Sequence, residues 1–201
     1  MVSAACDPAA ANTGGPHLPP GVDRAVKIVI AGNLGVGKTT FVGALSEITP
    51  LRTEETMTEA GAHVDDLAGV RTKATTTVAM DFGRLTLNRS LVLYLFGTPG
   101  QPRFAGMWHD LARGALGALV LVDTRRLDGS FPVLDRVEEL GLRHAVAINR
   151  FDDAPAADIE DVCDALELDP GTPLVTCDAR DRGSSGKALI TLTRHLLARA
   201  H

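Results

Sequence analysis

Basic residues are in the minority in this chain: 20 Lys and Arg face 25 Asp and Glu, for a net charge of −5. Binding a nucleic-acid backbone needs a basic face, so nucleic acid is excluded as the main partner, and any anionic ligand must be held by local chemistry. Cysteine is scarce as well. Cys6, Cys163 and Cys177 are odd in number and far apart, which argues against a disulfide framework, and no Cys-x-x-Cys or Cys/His cluster suggests zinc. Cys163 and Cys177 are expected to be small buried apolar residues. No apolar run approaches the roughly 18 residues a membrane helix needs. Met1 to Cys6 lacks a basic segment ahead of an apolar one, so no signal peptide is expected. Val2 and the closing Leu-Ala-Arg-Ala-His fit no lipidation pattern. Together these absences predict a cytoplasmic protein without direct membrane insertion.

What is present suits one domain and a tail. Hydrophobic residues make up 45% of the 201-residue chain, enough for a substantial core. Residues 1–23 are rich in Ala, Pro and Gly, with Pro8, Pro16, Pro19 and Pro20, and cannot offset their ordering entropy; they read as a disordered tail ahead of a domain over 24–201. Ala25 to Ala31 reads as a strand rich in β-branched residues, followed by a glycine-rich turn and a helix from about Lys38 to Ile48. Residues 50–73 are polar and read as a long mobile connection. Thr76 to Leu87 and Leu91 to Phe96 read as two strands joined at Asn88-Arg89. Ala118 to Val122, Ala145 to Ile148 and Leu174 to Thr176 are nearly all apolar, as strands covered on both faces should be. Helical patterns fall at about 103–114, 130–141, 156–167 and 186–199. This alternation predicts an α/β fold: a mostly parallel central sheet with helices on both faces and one antiparallel edge strand.

Gly32-Asn33-Leu34-Gly35-Val36-Gly37-Lys38-Thr39 fits the phosphate-loop pattern Gly-x-x-x-x-Gly-Lys-Ser/Thr, after a strand and opening a helix as that motif requires. Glycines let the backbone wrap close to phosphate oxygens, and the N–H groups from Asn33 to Thr40 point inward at a helix N-terminus. Lys38 is placed to reach the β- and γ-phosphates and Thr39 to ligate Mg²⁺. The loop alone leaves ATP and GTP open.

At the end of an apolar strand stands Asn149-Arg150-Phe151-Asp152, and here the chain resembles the small Ras-like GTPases, whose guanine-recognition motif is Asn-Lys-x-Asp. The resemblance implies a P-loop NTPase fold of the Ras-like G-domain kind. It implies that Asp152 accepts from guanine N1–H and the exocyclic amine, a donor pair adenine lacks. Asn149 would tie this loop to the phosphate loop, and Arg150, in place of the family lysine, would lie across the base. Thr176-Cys177-Asp178-Ala179-Arg180 occupies the place of the family's Ser-Ala-Lys motif, so Asp178, Ala179 and Arg180 join the guanine set and the Ala179 N–H would face the guanine carbonyl. Read without the resemblance, Asn149 to Asp152 is a polar strand-end turn.

Two further segments resemble the family's switches. Thr77-Val78-Ala79-Met80-Asp81-Phe82 matches the segment carrying the switch threonine, which makes Thr77 a sensor of γ-phosphate and a second Mg²⁺ ligand; Thr75 and Thr76 are adjacent alternatives. Gly97-Thr98-Pro99-Gly100-Gln101 resembles Asp-x-x-Gly-Gln, which gives Gly100 an N–H to the γ-phosphate and Gln101 the attacking water. Gly97 stands where the family carries an aspartate that supports Mg²⁺, and Asp123 is the candidate replacement. Arg103 is a candidate arginine finger in cis, and Phe104, Met107, Trp108 and Leu111 share one helical face. The combined pattern resembles the bacterial gliding-motility (MglA-like) GTPases, and within them the GTPase component of actinobacterial conservon operons. That likeness implies a slow GTPase switch with Gln101, Thr77 and Lys38 as catalytic residues and GTP or GDP as ligand. Conformational change over about 50–77 and 97–112 would signal to a roadblock-type regulator and a sensor-kinase-like membrane complex, through which the protein is recruited to a membrane. The alternatives are a binding-only pseudo-GTPase, in which Gly97 has ended catalysis, and an ATP-dependent P-loop kinase.

Overall fold

Strand β1 (Arg24–Gly32) sits at the centre of the sheet, and its sequence shows why. Ile28 and Ile30 point to one face and Val29 and Ala31 to the other, and all four are buried. Alternating side chains that are apolar on both faces require cover on both sides. The computed structural model describes residues 24–57, 76–100, 106–154 and 158–198, with the backbone alone at 52–57 and 76–79. The expected tail at 1–23 lies outside the described residues, as do Gln101, Arg103 and Phe104.

The other elements are α1 (Lys38–Leu45), β2 (Leu51–Met57), β3 (Thr76–Asn88), β4 (Leu91–Gly97), α2 (Met107–Ala112), β5 (Ala115–Val122), α3 (Phe131–Glu139), β6 (His144–Asn149), α4 (Ile159–Ala165), β7 (Leu174–Cys177) and α5 (Arg182–Ala198). A 3₁₀ turn over Thr124–Ser130 leads into α3. The strands form one sheet in the order β2-β3-β4-β1-β5-β6-β7. Only β3 runs antiparallel to its neighbours, β2 and β4; every other pairing is parallel. The mostly parallel α/β fold is therefore present, with one change: the antiparallel strand lies one place in from the edge.

That change comes from β2, which falls in the segment expected to be a mobile connection. Its sequence, Leu-Arg-Thr-Glu-Glu-Thr-Met, has no apolar alternation, yet it pairs with β3 from Leu51↔Phe82 to Met57↔Thr76. A charged strand suits an outer edge, where it discourages pairing with a further chain. The hairpin turn also moves by one residue. Asn88 ends β3, and its Oδ1 accepts from the Ser90 N–H at 2.9 Å, an Asx turn.

Helices α1 and α5 cover one face, where Phe41, Val42 and Leu45 meet Ala188, Leu189, Leu192 and Leu196 over Ile28, Ile30 and Leu119. On the other face Trp108 of α2, Leu134 and Val137 of α3 and Val162 of α4 pack on Val29, Val120 and Val146. Full burial of each such side chain contributes about 1.5–3 kcal/mol. Helix α1 stops at Leu45, short of the expected Ile48: Ser46 turns extended, and Glu47 N donates to Arg84 O of β3 at 2.8 Å. Cys177 is buried, its thiol pushed up to about 12 by desolvation and then by Asp178, whereas Cys163 is half-buried. Among the described residues no helix is long and apolar enough to cross a membrane.

Candidate functional site

The C-terminal ends of β1, β4, β5, β6 and β7 meet along one edge, where their loops gather the polar residues. The loop between β1 and α1 bends at Gly37, whose φ of 102° is disfavoured for any residue with a Cβ. A Cβ there would also come within 2.6 Å of Asn149 Nδ2. The motif glycine thus serves the turn and leaves a seat for the asparagine of β6.

Asn149 joins three segments. Its Nδ2 donates to Val36 O at 2.9 Å, and its Oδ1 accepts the Ala179 N–H at 2.9 Å, with both bonds buried. The link from Asn149 to the phosphate loop is as expected, but the role given to Ala179 needs correction. Its N–H is committed to Asn149 and is not presented to a base, because closing the β7–α5 loop onto β6 satisfies a buried donor that needs a partner.

Lys38 is 8% exposed, and its Nζ donates to Gly32 O at 2.7 Å and Asn33 O at 2.8 Å. Burial brings its pKa down to about 8, opposed by the charge of Asp81. Gly100 closes on this group from the other side. A Cβ on it would lie 2.7 Å from Leu34 N and 2.9 Å from Lys38 Nζ, so only glycine allows the approach. Leu34, Gly35, Thr39 and Thr40 remain exposed around the lysine. The Leu34 N–H, expected to face phosphate, is held by Asn33 Oδ1 at 2.7 Å, but a buried ammonium in a glycine-rich loop at a helix N-terminus is equipped to take a polyphosphate.

The sequence reading missed Asp81. It stands directly opposite Gly97 in the β3–β4 ladder, is 4% exposed, and its Oδ2 accepts the Thr39 hydroxyl at 2.5 Å. A Cβ on Gly97 would meet Asp81 Cβ at 3.1 Å and Oδ2 at 3.3 Å. The carboxylate expected at position 97 is supplied from the neighbouring strand, and the glycine makes room for it. An aspartate between Met80 and Phe82 in a strand pattern was the available signal, but its partner depends on strand pairing.

Asp123 does not fill that place. Its Oδ1 accepts from Arg125 N at 3.0 Å and Nε at 2.9 Å, and its Oδ2 from Nη2 at 2.8 Å, so it caps the 3₁₀ turn. The Arg125 hydrogen bonds hold its carboxyl below the usual range, outweighing burial. Arg125 also bonds Asp153 at 2.5 Å and lies 3.8 Å from the Phe151 ring centroid, which stiffens the far wall.

Beyond Asn149 an open cleft of about 710 Å³ is lined by Thr124, Arg150, Phe151, Asp152, Asp178 and Arg180. Asp152 is 84% exposed and is held by Arg180, whose Nη1 and Nη2 each donate to one of its oxygens at 3.0 Å. The same guanidinium donates through Nε and Nη2 to Asp178, also at 3.0 Å. Gly100, Lys38, Thr39, Asn149, Asp152, Asp178 and Arg180 are therefore assembled along one edge. Thr77 lies on β3 opposite Thr56, with only its backbone described, and Gln101 lies outside the described residues.

Over residues 30–199 the chain matches the model of a family described as conserved hypothetical ATP binding proteins. The chain belongs to this family. An uncharacterized protein of Methanocaldococcus jannaschii is 28% identical over 142 residues, which span 69% of this chain and 79% of that protein. Among solved structures, the FeoB G-domain from Methanococcus jannaschii aligns with a TM-score of 0.58 at 16% identity, covering 87% of this chain and 99% of that one. The cytosolic domain of the T. maritima FeoB iron transporter, in a GDP form, aligns with a TM-score of 0.59 at 16% identity, covering 89% of this chain and 66% of that one. At such identity the likeness shows the fold, a P-loop G domain. With its family and fold together, this member is a P-loop nucleotide-binding protein.

Proposed function

We propose that this family member is a small GTPase switch: it binds GTP and GDP, hydrolyses GTP slowly, and changes shape around the phosphates to signal to a protein partner. The observation that carries the reading is Asn149, which fastens the phosphate loop to the strand end that leads into Asp152 and to the loop after β7. Asp152 offers two acceptor oxygens to guanine's donor pair, and adenine would leave them unsatisfied. Arg150 and Asp178 complete the cleft wall. The proposed domain is residues 24–201. In the MglA-like branch that the sequence resembles, the partners would be a roadblock-type regulator and a sensor-kinase-like membrane complex.

The residues present suit Mg²⁺. Thr39 and Asp81 supply oxygen donors, and no cluster of three or more His, Cys, Asp or Glu among the described residues forms a protein-only cage. Mg²⁺ prefers that arrangement, with few protein oxygens, phosphates and retained waters. Thr39, with Thr77, would hold the ion, and when bound it neutralises charge on the phosphates. Asp81 fixes the Thr39 hydroxyl. Lys38 holds the β- and γ-phosphates, Gly100 gives its N–H to the γ-phosphate, and Gln101 orients the attacking water.

Titration with labelled GTP and ATP tests the assignment. GTP and GDP should bind at least about tenfold more tightly than ATP and ADP, and Asp152→Asn should shift preference toward xanthine nucleotides. Equal affinities that persist when Arg180 is replaced would sink the guanine reading. The family's description as ATP binding favours that rival, and the test separates the two. Single-turnover hydrolysis with and without Mg²⁺ separates the switch from a binding-only pseudo-GTPase, and Gln101→Leu should keep binding while slowing turnover.

A further inference from the structure

The carboxylate proposed to read guanine is already engaged. Arg180 presents two parallel N–H groups to Asp152, Nη1 to Oδ2 and Nη2 to Oδ1, each at 3.0 Å. A guanidinium fork on a carboxylate uses both oxygens in one plane. Guanine's N1–H and exocyclic amine form a fork of the same kind, directed at the same two oxygens. The two cannot sit there together.

We propose that Arg180 is an internal guanine mimic, a latch on Asp152 that a guanine base must displace before it is read. This rests on the guanine reading of Asp152 and adds a residue that sets how readily that reading begins. The surroundings suit a latch that opens. Asp152 and Arg180 are 84% and 55% exposed, so water and salt weaken the pair and opening it leaves no buried charge. A second carboxylate holds the guanidinium throughout. Asp178 accepts from Arg180 Nε and Nη2 at 3.0 Å and from the Arg180 N–H at 2.9 Å, and its own N–H is tied to Ser184 Oγ at 2.9 Å. The arginine therefore swings about Asp178. The guanidinium keeps its proton at any ordinary pH, so the latch responds to ionic strength and to ligand rather than to pH.

Association and equilibrium binding of labelled GDP and ADP to the whole chain, in wild type, Arg180→Ala and Arg180→Lys, provide the test. If the latch is closed most of the time, apparent affinity is reduced by the open fraction. Arg180→Ala should then bind GDP about 3–10-fold more tightly, through faster association, with ADP unchanged. Arg180→Lys should fall between, because an ammonium cannot form the fork. The gain should shrink as salt rises. A wild type without guanine preference that acquires one in Arg180→Ala also supports the latch, as a dominant one. If wild type prefers GDP and Arg180→Ala binds it equally or more weakly, the latch is overturned and the guanine reading stands. If neither protein distinguishes GDP from ADP, both ideas fall.

Discussion

The Lys38 end and the Asp152 cleft of the candidate site, proposed as its phosphate half and its base half, are built on opposite principles. Around Lys38 the charged groups are buried: Lys38 is 8% and Asp81 4% exposed, Gly100 allows a contact too close for any side chain, and Gly97 leaves tight space beside Asp81. Around Asp152 the charges lie in water, paired with each other through Arg180. Burial fixes geometry, because an unpaired charge there is costly. Exposure keeps a contact exchangeable, because screened pairs contribute little. The phosphate half is thus preorganised and the base half adjustable, with Asn149 as the rigid link between them.

The contrast can be broken most severely at Lys38. Lys38→Ala should weaken triphosphate binding at least about 100-fold, since it removes charge-assisted bonds to two phosphates. The fold should survive, as checked by circular dichroism, because among the described residues the ammonium hydrogen-bonds only to loop carbonyls. Measurable triphosphate binding by the variant would show that backbone N–H groups alone suffice.

Next in size is the Asp81–Gly97 pair. Gly97→Asp should not repair a missing metal support. It would set a Cβ 3.1 Å from Asp81 Cβ and 3.3 Å from its Oδ2, add a second negative charge beside it, and destabilise the protein by about 2–4 kcal/mol, read as a lower Tm. Asp81→Asn should weaken Mg²⁺ about 10–100-fold, seen as faster GDP release at limiting Mg²⁺. The double exchange Asp81→Gly with Gly97→Asp should recover part of both losses. A Gly97→Asp protein as stable as wild type would remove the steric argument.

A smaller effect is expected from pH. Lys38 titrates near 8 in the folded chain against 10.5 as a free side chain. Between these values the unfolded chain holds the extra proton, so this group makes stability rise with pH from about 8 to 10.5. Polyphosphate binding favours the protonated form and should weaken as pH climbs through 8. Calorimetric titration and thermal melts over that range should therefore move in opposite directions.

The least effect should come from Trp108. It is buried in the core, and Lys27 Nζ of β1 donates to the carbonyls of Asp110 and Arg113 at the end of α2. Replacing GDP by a non-hydrolysable GTP analogue should give only a small change in tryptophan emission. A large shift would place α2 among the parts that move with nucleotide, as the switch reading over 97–112 has it.

The order of apolar strands and helical stripes, the glycine spacing of the phosphate loop and the Asn149-to-Asp152 motif were legible because each is written in local spacing. Local periodicity is fixed by backbone geometry, so β1, β5 and β6 could be read directly. Strand β2 could not, since its pairing owes nothing to hydrophobic pattern and everything to the open edge of β3. The same limit hid Asp81. From the sequence, Gly97 is a lost aspartate; in the ladder, it is the space that an aspartate from β3 requires. Nor did spacing foretell that Ala179 N–H would be taken by Asn149, or Asp152 by Arg180. The sequence alone determined the spacing of the phosphate loop and the α/β fold that gathers the loops along one edge. Which partner each group takes was decided by tertiary structure, because hydrogen bonds and charges act over a few ångströms between residues that the chain order keeps far apart.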